Sequence, residues 1–263
     1  MKTIIFCFFF FFSTNKLISQ DSTIVEKWDN GIPSVVHYYE TKNGQQIKTR
    51  EAIFYTSGEV WEERINFQSS KTSFIVYDTD GDIRERGTLN KQGNSDGHYI
   101  KIYKGEKEKE GEYVNGYREG VWKQWYTWYP GGKLKAIKEY KRDKVVRLQE
   151  WYESGIKREF SDNKGNQINY DIDGKIASMR KNINGVINFS RFDNKEKRIE
   201  DGWFDKEYNY YLMNYWDGNR NLIIKNGNGI KKTVSGCDLI PVLEEYKNGR
   251  VVSRKVMMED WKP

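Results

Sequence analysis

The sequence predicts an all-β protein, an elongated antiparallel β-sheet built from stacked β-hairpins. Tyr, Trp and Phe make up 15% of the chain, and aromatic side chains suit a pleated strand. Glycine is frequent and proline is rare, with 23 and 4 residues, and most of the glycines stand in turn dipeptides. Apolar and charged residues alternate in KLKAIKEY (133–140), which is the period of a half-buried strand. These three observations favour strands and turns over helices.

The first nineteen residues predict a secretory signal peptide. Lys2 is followed by an apolar run at residues 4–12, and a short polar stretch ends at Ser19. A membrane-spanning helix needs about 20 apolar residues, so the run is too short for a permanent anchor. We therefore expect cleavage after Ser19, and a mature chain that begins at Gln20, is secreted or periplasmic, and has no transmembrane anchor.

The mature chain is predicted to be weakly basic and free of disulfides. Removing residues 1–19 takes away two lysines and no acidic residue, so the net charge falls from +6 to +4. Cys237 is then the single cysteine, and no intramolecular disulfide can form. The remaining charges alternate in sign, as in KIYKGEKEKEGE (101–112), which is typical of a solvated strand face. This pattern and the predicted export argue against a nucleic-acid partner.

Glycine dipeptides predict the hairpin turns. Asn-Gly and Asp-Gly between apolar runs are typical of two-residue type I′ turns, in which both residues take a positive φ. We interpret eight of these dipeptides, together with two Ser-Gly dipeptides, as hairpin turns: Asn30-Gly31, Asn43-Gly44, Ser57-Gly58, Asp80-Gly81, Asn115-Gly116, Ser154-Gly155, Asp173-Gly174, Asn184-Gly185, Asp217-Gly218 and Asn248-Gly249.

The turns recur with an aromatic residue in front of them, which indicates a repeat. YTSGEV (55–60), YESGIKR (152–158) and YDIDGKI (170–176) are examples. Successive glycines are 23 residues apart between Gly58 and Gly81, a spacing typical of repeat architectures. The composition becomes loop-like at KQGNSDG near residue 91, and the spacing between the repeated turns becomes less regular after about 200. We interpret residues 20–263 as one repeat array with an irregular part at about 200–263.

Three tryptophans, Trp122, Trp125 and Trp128, lie three residues apart. That spacing suits a helical stripe, but the turns at Asn115-Gly116 and Gly131-Gly132 on either side favour strand. On one regular strand, Trp122 and Trp128 would share a face and Trp125 would point to the other.

The segment around these tryptophans resembles a known repeat. Gly111, Tyr113, Gly116, Gly120 and Trp122 form G-x-Y-x-x-G-x-x-x-G-x-W, which is similar to the MORN repeat, in particular to its bacterial variant in proteins often described as antitoxin-like. The best-matching repeats cover about 98–180, and residues 22–90 keep only the aromatic–glycine turn. The resemblance implies stacked hairpins and a scaffold or binding surface, without a catalytic site.

Catalytic and metal-site patterns are weak. His37, His98 and Cys237 have no zinc-ligand spacing, and in Asp78-Thr-Asp80-Gly81-Asp82 the glycine precedes the third acidic residue, unlike in an EF-hand loop. A weak surface calcium site at this turn stays open as an alternative. So does an enzyme with a pair of carboxylates, which a single sequence cannot select. The sequence predicts no cofactor, no metal and no enzymatic activity.

The expected function is binding. We predict an interaction scaffold at the cell envelope whose partner is a protein or another envelope component. The alternative is a carbohydrate- or cell-wall-binding module that stacks exposed aromatic rings on sugars. The opposing interpretation is that the same rings fill a core poor in aliphatic residues. The candidate surface in all cases consists of Tyr113, Trp122, Trp125, Tyr126, Trp128 and Tyr129.

Overall fold

The computed structural model describes residues 20–128, 131–235 and 240–257. These residues form 21 antiparallel strands and no helix, which confirms the predicted fold class. The contacts divide the chain into two compact units, residues 1–93 and 94–263. The division lies within KQGNSDG, the stretch at which the texture of the sequence changes. The predicted signal peptide and Cys237 lie outside the described residues.

The first unit is a six-stranded meander, in which each strand pairs antiparallel with the next in the chain. Its strands are β1 (Gln20–Lys27), β2 (Pro33–Lys42), β3 (Gln45–Phe54), β4 (Val60–Ile65), β5 (Thr72–Tyr77) and β6 (Ile83–Leu89).

The second unit repeats this plan over fifteen described strands, again paired in chain order. They are β7 (Gly97–Tyr103), β8 (Glu106–Val114), β9 (Tyr117–Tyr126), β10 (Lys133–Lys141), β11 (Lys144–Trp151), β12 (Lys157–Asp162), β13 (Gln167–Tyr170), β14 (Ile176–Ile183), β15 (Val186–Phe192), β16 (Arg198–Phe204), β17 (Tyr210–Trp216), β18 (Leu222–Lys225), β19 (Asn228–Ser235), β20 (Ile240–Lys247) and β21 (Arg250–Val256). The hairpins continue through 200–257 in the same order.

The two faces of the second sheet differ. Strand register places Trp122, Ala136, Tyr140, Glu200, Leu212, Ile224 and Val242 on one face, which we call the packed face; all seven are buried. The opposite face, which we call the open face, carries Val121, Trp125, Lys181 and Trp203. Most of the buried side chains of this unit therefore lie on one side of a single layer.

The hairpin loops are of two kinds. Two-residue turns with positive φ at both positions occur at Asn43-Gly44, Asn115-Gly116, Asn184-Gly185 and Asn248-Gly249, as predicted. For the other six dipeptides the prediction of two positive φ angles is wrong. Asn30-Gly31, Ser57-Gly58, Asp80-Gly81, Ser154-Gly155 and Asp173-Gly174 have a positive φ at the glycine only, and Asp217-Gly218 has none.

The six exceptions lie in five-residue loops, as the loop 78–82 illustrates. The N–H of Asp78 donates to the carbonyl of Asp82 (2.9 Å), and the N–H of Gly81 donates to the carbonyl of Asp78 (3.1 Å). The fourth residue takes the left-handed conformation, and the carboxylate of Asp78 accepts N–H donations at 3.0 Å from Asp80 and Asp82. In the loop 217–221 the fourth residue is Arg220, with φ 70°, so the carboxylate of Asp217 stabilises the same geometry without glycine.

Candidate ligand-binding surfaces

Trp122 is a core residue. Only 1% of it is exposed, and its indole lies flat against the backbone of Gly111, where an added Cβ would come within 2.3 Å of the ring. The indole N–H donates to the carbonyl of Glu112 at 3.1 Å. Because the indole is enclosed on all sides, no external sugar can stack on Trp122.

An aromatic cluster surrounds Trp122 on the packed face. Tyr99, Tyr113 and Tyr140 lie 5.8, 4.9 and 6.1 Å from its ring, between centroids, and the Tyr113 and Tyr140 contacts are edge-to-face. Such pairs add about 0.5–1.5 kcal/mol each beyond the area they bury. Tyr113 is half-buried in this cluster. The G-x-Y-x-x-G-x-x-x-G-x-W frame is thus the β8–β9 hairpin folded around one indole.

Tyr126 and Trp128 connect neighbouring loops. The buried Tyr126 donates its hydroxyl to the carbonyl of Trp151 (2.8 Å), and the Trp128 indole donates to the Glu153 carboxylate (3.1 Å). Burial, and next the charge of Glu153, raise the pKa of Tyr126. The prediction that Trp128 continues the strand is wrong, because β9 ends at Tyr126 and Trp128 lies beyond it. Trp128 is 61% exposed, and Tyr129 lies outside the described residues.

The same bond recurs between other loops and gives a structural role to several of the aromatic residues at the turns. Tyr55 donates its hydroxyl to the carbonyl of Tyr77 (2.9 Å), and Tyr152 donates to the carbonyl of Tyr170 (3.0 Å). The indole of Trp28 donates to the carbonyl of Phe54 (3.1 Å). Each acceptor is the last residue before the next loop on the same edge. These aromatic side chains hold successive hairpins together and are structural.

Trp125 lies on the open face, as its odd spacing from Trp122 predicts. It pairs with Leu134 on β10, and the ammonium of Lys107 lies 5.3 Å from its ring centroid. Tyr117 and Val121 point the same way from β9, and both are exposed, Val121 to 55%. Val114, opposite Tyr117 on β8, is exposed as well. Val114, Tyr117, Val121 and Trp125 form a row of apolar side chains, with the charged side chains of Glu119 and Lys123 between them on the same face, and we call this row the β9 strip.

A second feature of the open face is a cleft over β14–β17. Its volume is about 340 Å³, near the lower end of the ~300–1,000 Å³ range of small-molecule pockets. Met179, Ile183, Trp203 and Met213 supply the apolar lining, and the polar lining consists of Lys181, Asn188, Ser190, Arg198 and Asp201. The Asp201 carboxylate accepts a hydrogen bond from the Asn214 amide (2.8 Å) and pairs with Arg198 (3.3 Å).

Trp203 ends a column of stacked side chains. Its indole lies parallel to the Tyr211 ring, with 4.2 Å between centroids and 3° between planes. The guanidinium carbon of Arg250 lies 4.5 Å from the Tyr211 ring centroid, and Arg250 also donates to the Tyr211 hydroxyl. Tyr211 therefore covers the β17 side of the indole, and the cleft lies mainly on the β15 side.

Sequence reasoning missed this cleft. A period of two is only partly visible in EYNYYLMNYW, because β16 and β17 slip register between Asp201 and Gly202. The slip makes Tyr211 the partner of Trp203, whereas the register of Glu200 and Asp201 continued without a slip would pair Trp203 with Leu212. The signal that the sequence does contain is Gly202, a glycine inside a strand. An added Cβ there would lie 2.2 Å from the carbonyl oxygen of Tyr211, so the close approach of β17 to β16 at this point requires glycine.

His37 belongs to a charge network in the first unit. Its Nε2 lies 2.8 Å from the Glu51 carboxylate, which Lys48 and Arg64 also reach, at 3.0 and 3.3 Å. Burial acts to raise the pKa of Glu51, but the hydrogen bond from Lys48 and the charges of Lys48, Arg64 and His37 outweigh it and lower the pKa. The network satisfies its own charges across β2, β3 and β4.

The other chemical candidates are accounted for locally. His98 pairs with Glu112 at 2.9 Å, and the Asp78 carboxylate accepts the backbone N–H groups of its own turn. Among the residues that the structure describes, no three His, Cys, Asp or Glu side chains are grouped to hold a metal ion. The described residues also contain no helix long and apolar enough to cross a bilayer.

The solved structures to which the chain is similar include two distant likenesses. No protein-family profile and no curated protein matches the sequence. The chain is similar, at 11% identity and TM-score 0.22, to part of the Tc holotoxin pore of Photorhabdus luminescens, covering 89% of this chain and 16% of that one. It is also similar, at 11% identity and TM-score 0.16, to alternansucrase in complex with isomaltononaose, with 90% and 24% covered. The chain thus spans less than a quarter of either protein, and neither likeness carries an argument about function.

Proposed function

We propose that the protein is an exported, non-enzymatic binding scaffold of MORN-variant type, whose partner is a protein or another component of the cell envelope. The sequence supports export through its charged, then apolar, then small-residue N-terminus. The alternating charges along the strands fit a surface that stays soluble outside a membrane. Neither a cofactor nor a metal is part of the proposed function.

The β9 strip carries this proposal. Val114, Tyr117, Val121 and Trp125 expose apolar surface on one side of β8 and β9, while Trp122 and Tyr126 are buried on the other side. Apolar side chains grouped on an exposed surface are typical of interaction sites. The sheet beneath is held by paired strands and by the aromatic cluster around Trp122, so the strip needs little reordering when a partner binds.

A pair of matched variants tests the scaffold. Val121→Glu places a charge in the strip without touching the packed face. Ile172→Glu, in an exposed loop where 67% of Ile172 is accessible, is the control. The labelled proteins are incubated with envelope fractions of the source cells, and the bound fraction is measured. We expect saturable binding by the wild type and Ile172→Glu, and a loss of about tenfold in Val121→Glu, because one buried unpaired charge costs more than 1 kcal/mol. Equal binding by all three proteins would exclude the strip as the contact.

The export part of the proposal has its own test. N-terminal sequencing of the protein from the source cells should give Gln20 as the first residue. A chain that retains residues 1–19 in the membrane fraction would contradict the signal peptide while leaving the binding test unaffected.

The alternative function, carbohydrate binding, no longer rests on the predicted tryptophan row. Trp122 is buried, Trp125 lies on the opposite face, and Trp128 lies in a loop. A different observation favours carbohydrate: the cleft beside Trp203, which combines an indole with polar groups of several kinds.

A further inference from the structure

The cleft over β14–β17 has the composition of a site for a small polar ligand with an apolar face. It is open, it holds about 340 Å³, and its floor is formed by residues directly opposite one another on neighbouring strands. Lys181, Asn188 and Trp203 form one such row, and Met179, Ser190 and Asp201 form the next. The side chains of a row are held at fixed spacing by the sheet, so the site is formed before a ligand arrives.

We infer that this cleft binds a saccharide, with one sugar ring stacked on the indole of Trp203. The inference goes beyond the proposed scaffold function and does not depend on the β9 strip. It would give the protein a ligand site of its own on the open face.

The stacked column provides the first argument. The guanidinium carbon of Arg250 lies 4.5 Å from the centroid of the Tyr211 ring, and that centroid lies 4.2 Å from the centroid of the Trp203 indole, with the two rings parallel. The guanidinium and Tyr211 fix the plane of the Trp203 indole, so the indole loses little conformational entropy when a ligand stacks on its other side. A flat ligand in the cleft continues this column on the β15 side, where the lining residues Asn188 and Lys181 lie.

The polar lining provides the second argument. Asp201 supplies acceptors, Lys181 supplies donors, and the amide of Asn188 and the hydroxyl of Ser190 supply both. Lys181 and Ser190 make no side-chain hydrogen bond or ion pair with any other residue in the described part of the chain. A sugar ring matches this arrangement, because its hydroxyls donate and accept around the edge while its C–H groups present an apolar face.

Charge distinguishes a saccharide from other flat ligands. The carboxylate of Asp201 lies in the same lining as Lys181 and Arg198, and Arg198 is already paired with Asp201 at 3.3 Å. A nucleotide needs a cluster of cations for its phosphates, and here a carboxylate faces the same space. A neutral or weakly acidic saccharide uses both the donors and the acceptor without a charge clash.

The test is binding of purified full-length protein to defined glycans. The probes are cellohexaose, maltohexaose, chitohexaose and trigalacturonic acid, with adenosine monophosphate as the competing class, followed by calorimetry and tryptophan fluorescence. Lys181→Ala and Asn188→Leu change only the polar lining, and Trp203→Phe narrows the stacking surface. Trp61→Phe, at a tryptophan of β4 that is exposed and belongs to neither the cleft nor the β9 strip, is the matched control.

We expect at least one glycan to bind, with an affinity about tenfold lower in Trp203→Phe and in Asn188→Leu and unchanged in Trp61→Phe. Lys181→Ala should lower the affinity for trigalacturonic acid more than for the neutral hexasaccharides if an acidic sugar is the ligand. The inference is overturned if no glycan binds at millimolar concentration, if adenosine monophosphate alone binds, or if the Trp203 and Asn188 variants bind as the wild type does. Because Lys181 is exposed, its variant reports on the site even if Trp203→Phe fails to fold.

Discussion

At Gly111 the structure predicts a large response to a small change. In Gly111→Ala, the new Cβ would lie 2.3, 2.4 and 2.5 Å from three atoms of the Trp122 indole. Carbon atoms in van der Waals contact are about 3.5–4.0 Å apart, so the ring must move by about 1 Å or more. The φ of Gly111 is not in the left-handed region, so the backbone itself accepts alanine.

The cost follows from what the ring loses when it moves. Overpacking a core costs about 1–3 kcal/mol. Breaking the 3.1 Å bond from the indole to the Glu112 carbonyl adds about 1–3 kcal/mol if the buried N–H finds no partner. Alanine in place of glycine lowers the conformational entropy of the unfolded chain, which offsets about 0.4–1 kcal/mol of this loss of stability. We therefore expect Gly111→Ala to lower the free energy of unfolding by about 2–4 kcal/mol.

A double-mutant cycle with Trp122→Ala isolates the contact. Trp122→Ala alone should cost about 3–5 kcal/mol. Once the ring is absent, Gly111→Ala should become neutral or slightly stabilising, so that the two changes miss additivity by at least about 2 kcal/mol. The four proteins are compared by urea denaturation followed by circular dichroism. If the units unfold separately, the change should appear in the transition of residues 94–263.

Gly218→Ala is the matched control, because Gly218 has no positive φ and an added Cβ would meet nothing within 4 Å. It should change stability by less than about 0.5 kcal/mol. Additive costs in the Gly111–Trp122 cycle, or a Gly111→Ala protein as stable as the Gly218→Ala control, would refute the packing of the indole on the glycine backbone.

Three further predictions concern the loops. Tyr152→Phe removes one loop-to-loop hydrogen bond and should lower the free energy of unfolding by about 0.5–1.5 kcal/mol in urea denaturation. The control Tyr208→Phe, at a side chain that is 73% exposed, should have no effect, and equal stability of the two variants would argue against the bond. Gly227→Ala should lower the free energy of unfolding by at least about 1 kcal/mol more than Gly185→Ala in the same assay. Both glycines have a positive φ, but only at Gly227 would an added Cβ lie 2.4 Å from another backbone atom, the nitrogen of Gly249. Similar values for the two variants would exclude close packing of the turns at Gly227 and Gly249. Hydrogen bonds from the side chain and the backbone of Asn221 hold the pKa of Asp217 below its value in the unfolded chain. The stability that Asp217 contributes is therefore complete above about pH 5 and is lost as the pH falls. Thermal denaturation of Asp217→Asn should show a smaller loss of stability between about pH 5 and 2 than the wild type, and an unchanged pH profile would contradict this.

The residues that could be predicted from the sequence are those whose local chemistry decides their geometry. At Asn115-Gly116 both residues tolerate a positive φ, and a two-residue turn follows directly. The opposite faces of Trp122 and Trp125 follow from the period of two within β9. Such features depend on a few neighbouring residues, which the sequence displays.

Other features depend on partners that are distant in the sequence. Arg220 takes the glycine-like position of its loop, and its guanidinium donates to the Asp193 carboxylate (3.4 Å) and the Arg198 carbonyl (3.2 Å), more than twenty residues away. Trp128 lies outside the strand because β9 ends at Tyr126, and the spacing of the tryptophans does not reveal where a strand ends. The Trp203 cleft is lined by residues of four strands whose register, including the slip between β16 and β17, is defined only by strand pairing.

The loop-to-loop bonds limit how such a gene can change in length. The Tyr126–Trp151 and Tyr152–Tyr170 bonds span 25 and 18 residues, so strand length between loops is free to vary. Both bonds nevertheless join loops on the same edge, and one additional strand would send every later loop to the opposite edge. Duplications and deletions in this gene should therefore be inherited in steps of two strands, and a frame-preserving loss of a single strand should be far more damaging than the loss of a complete hairpin.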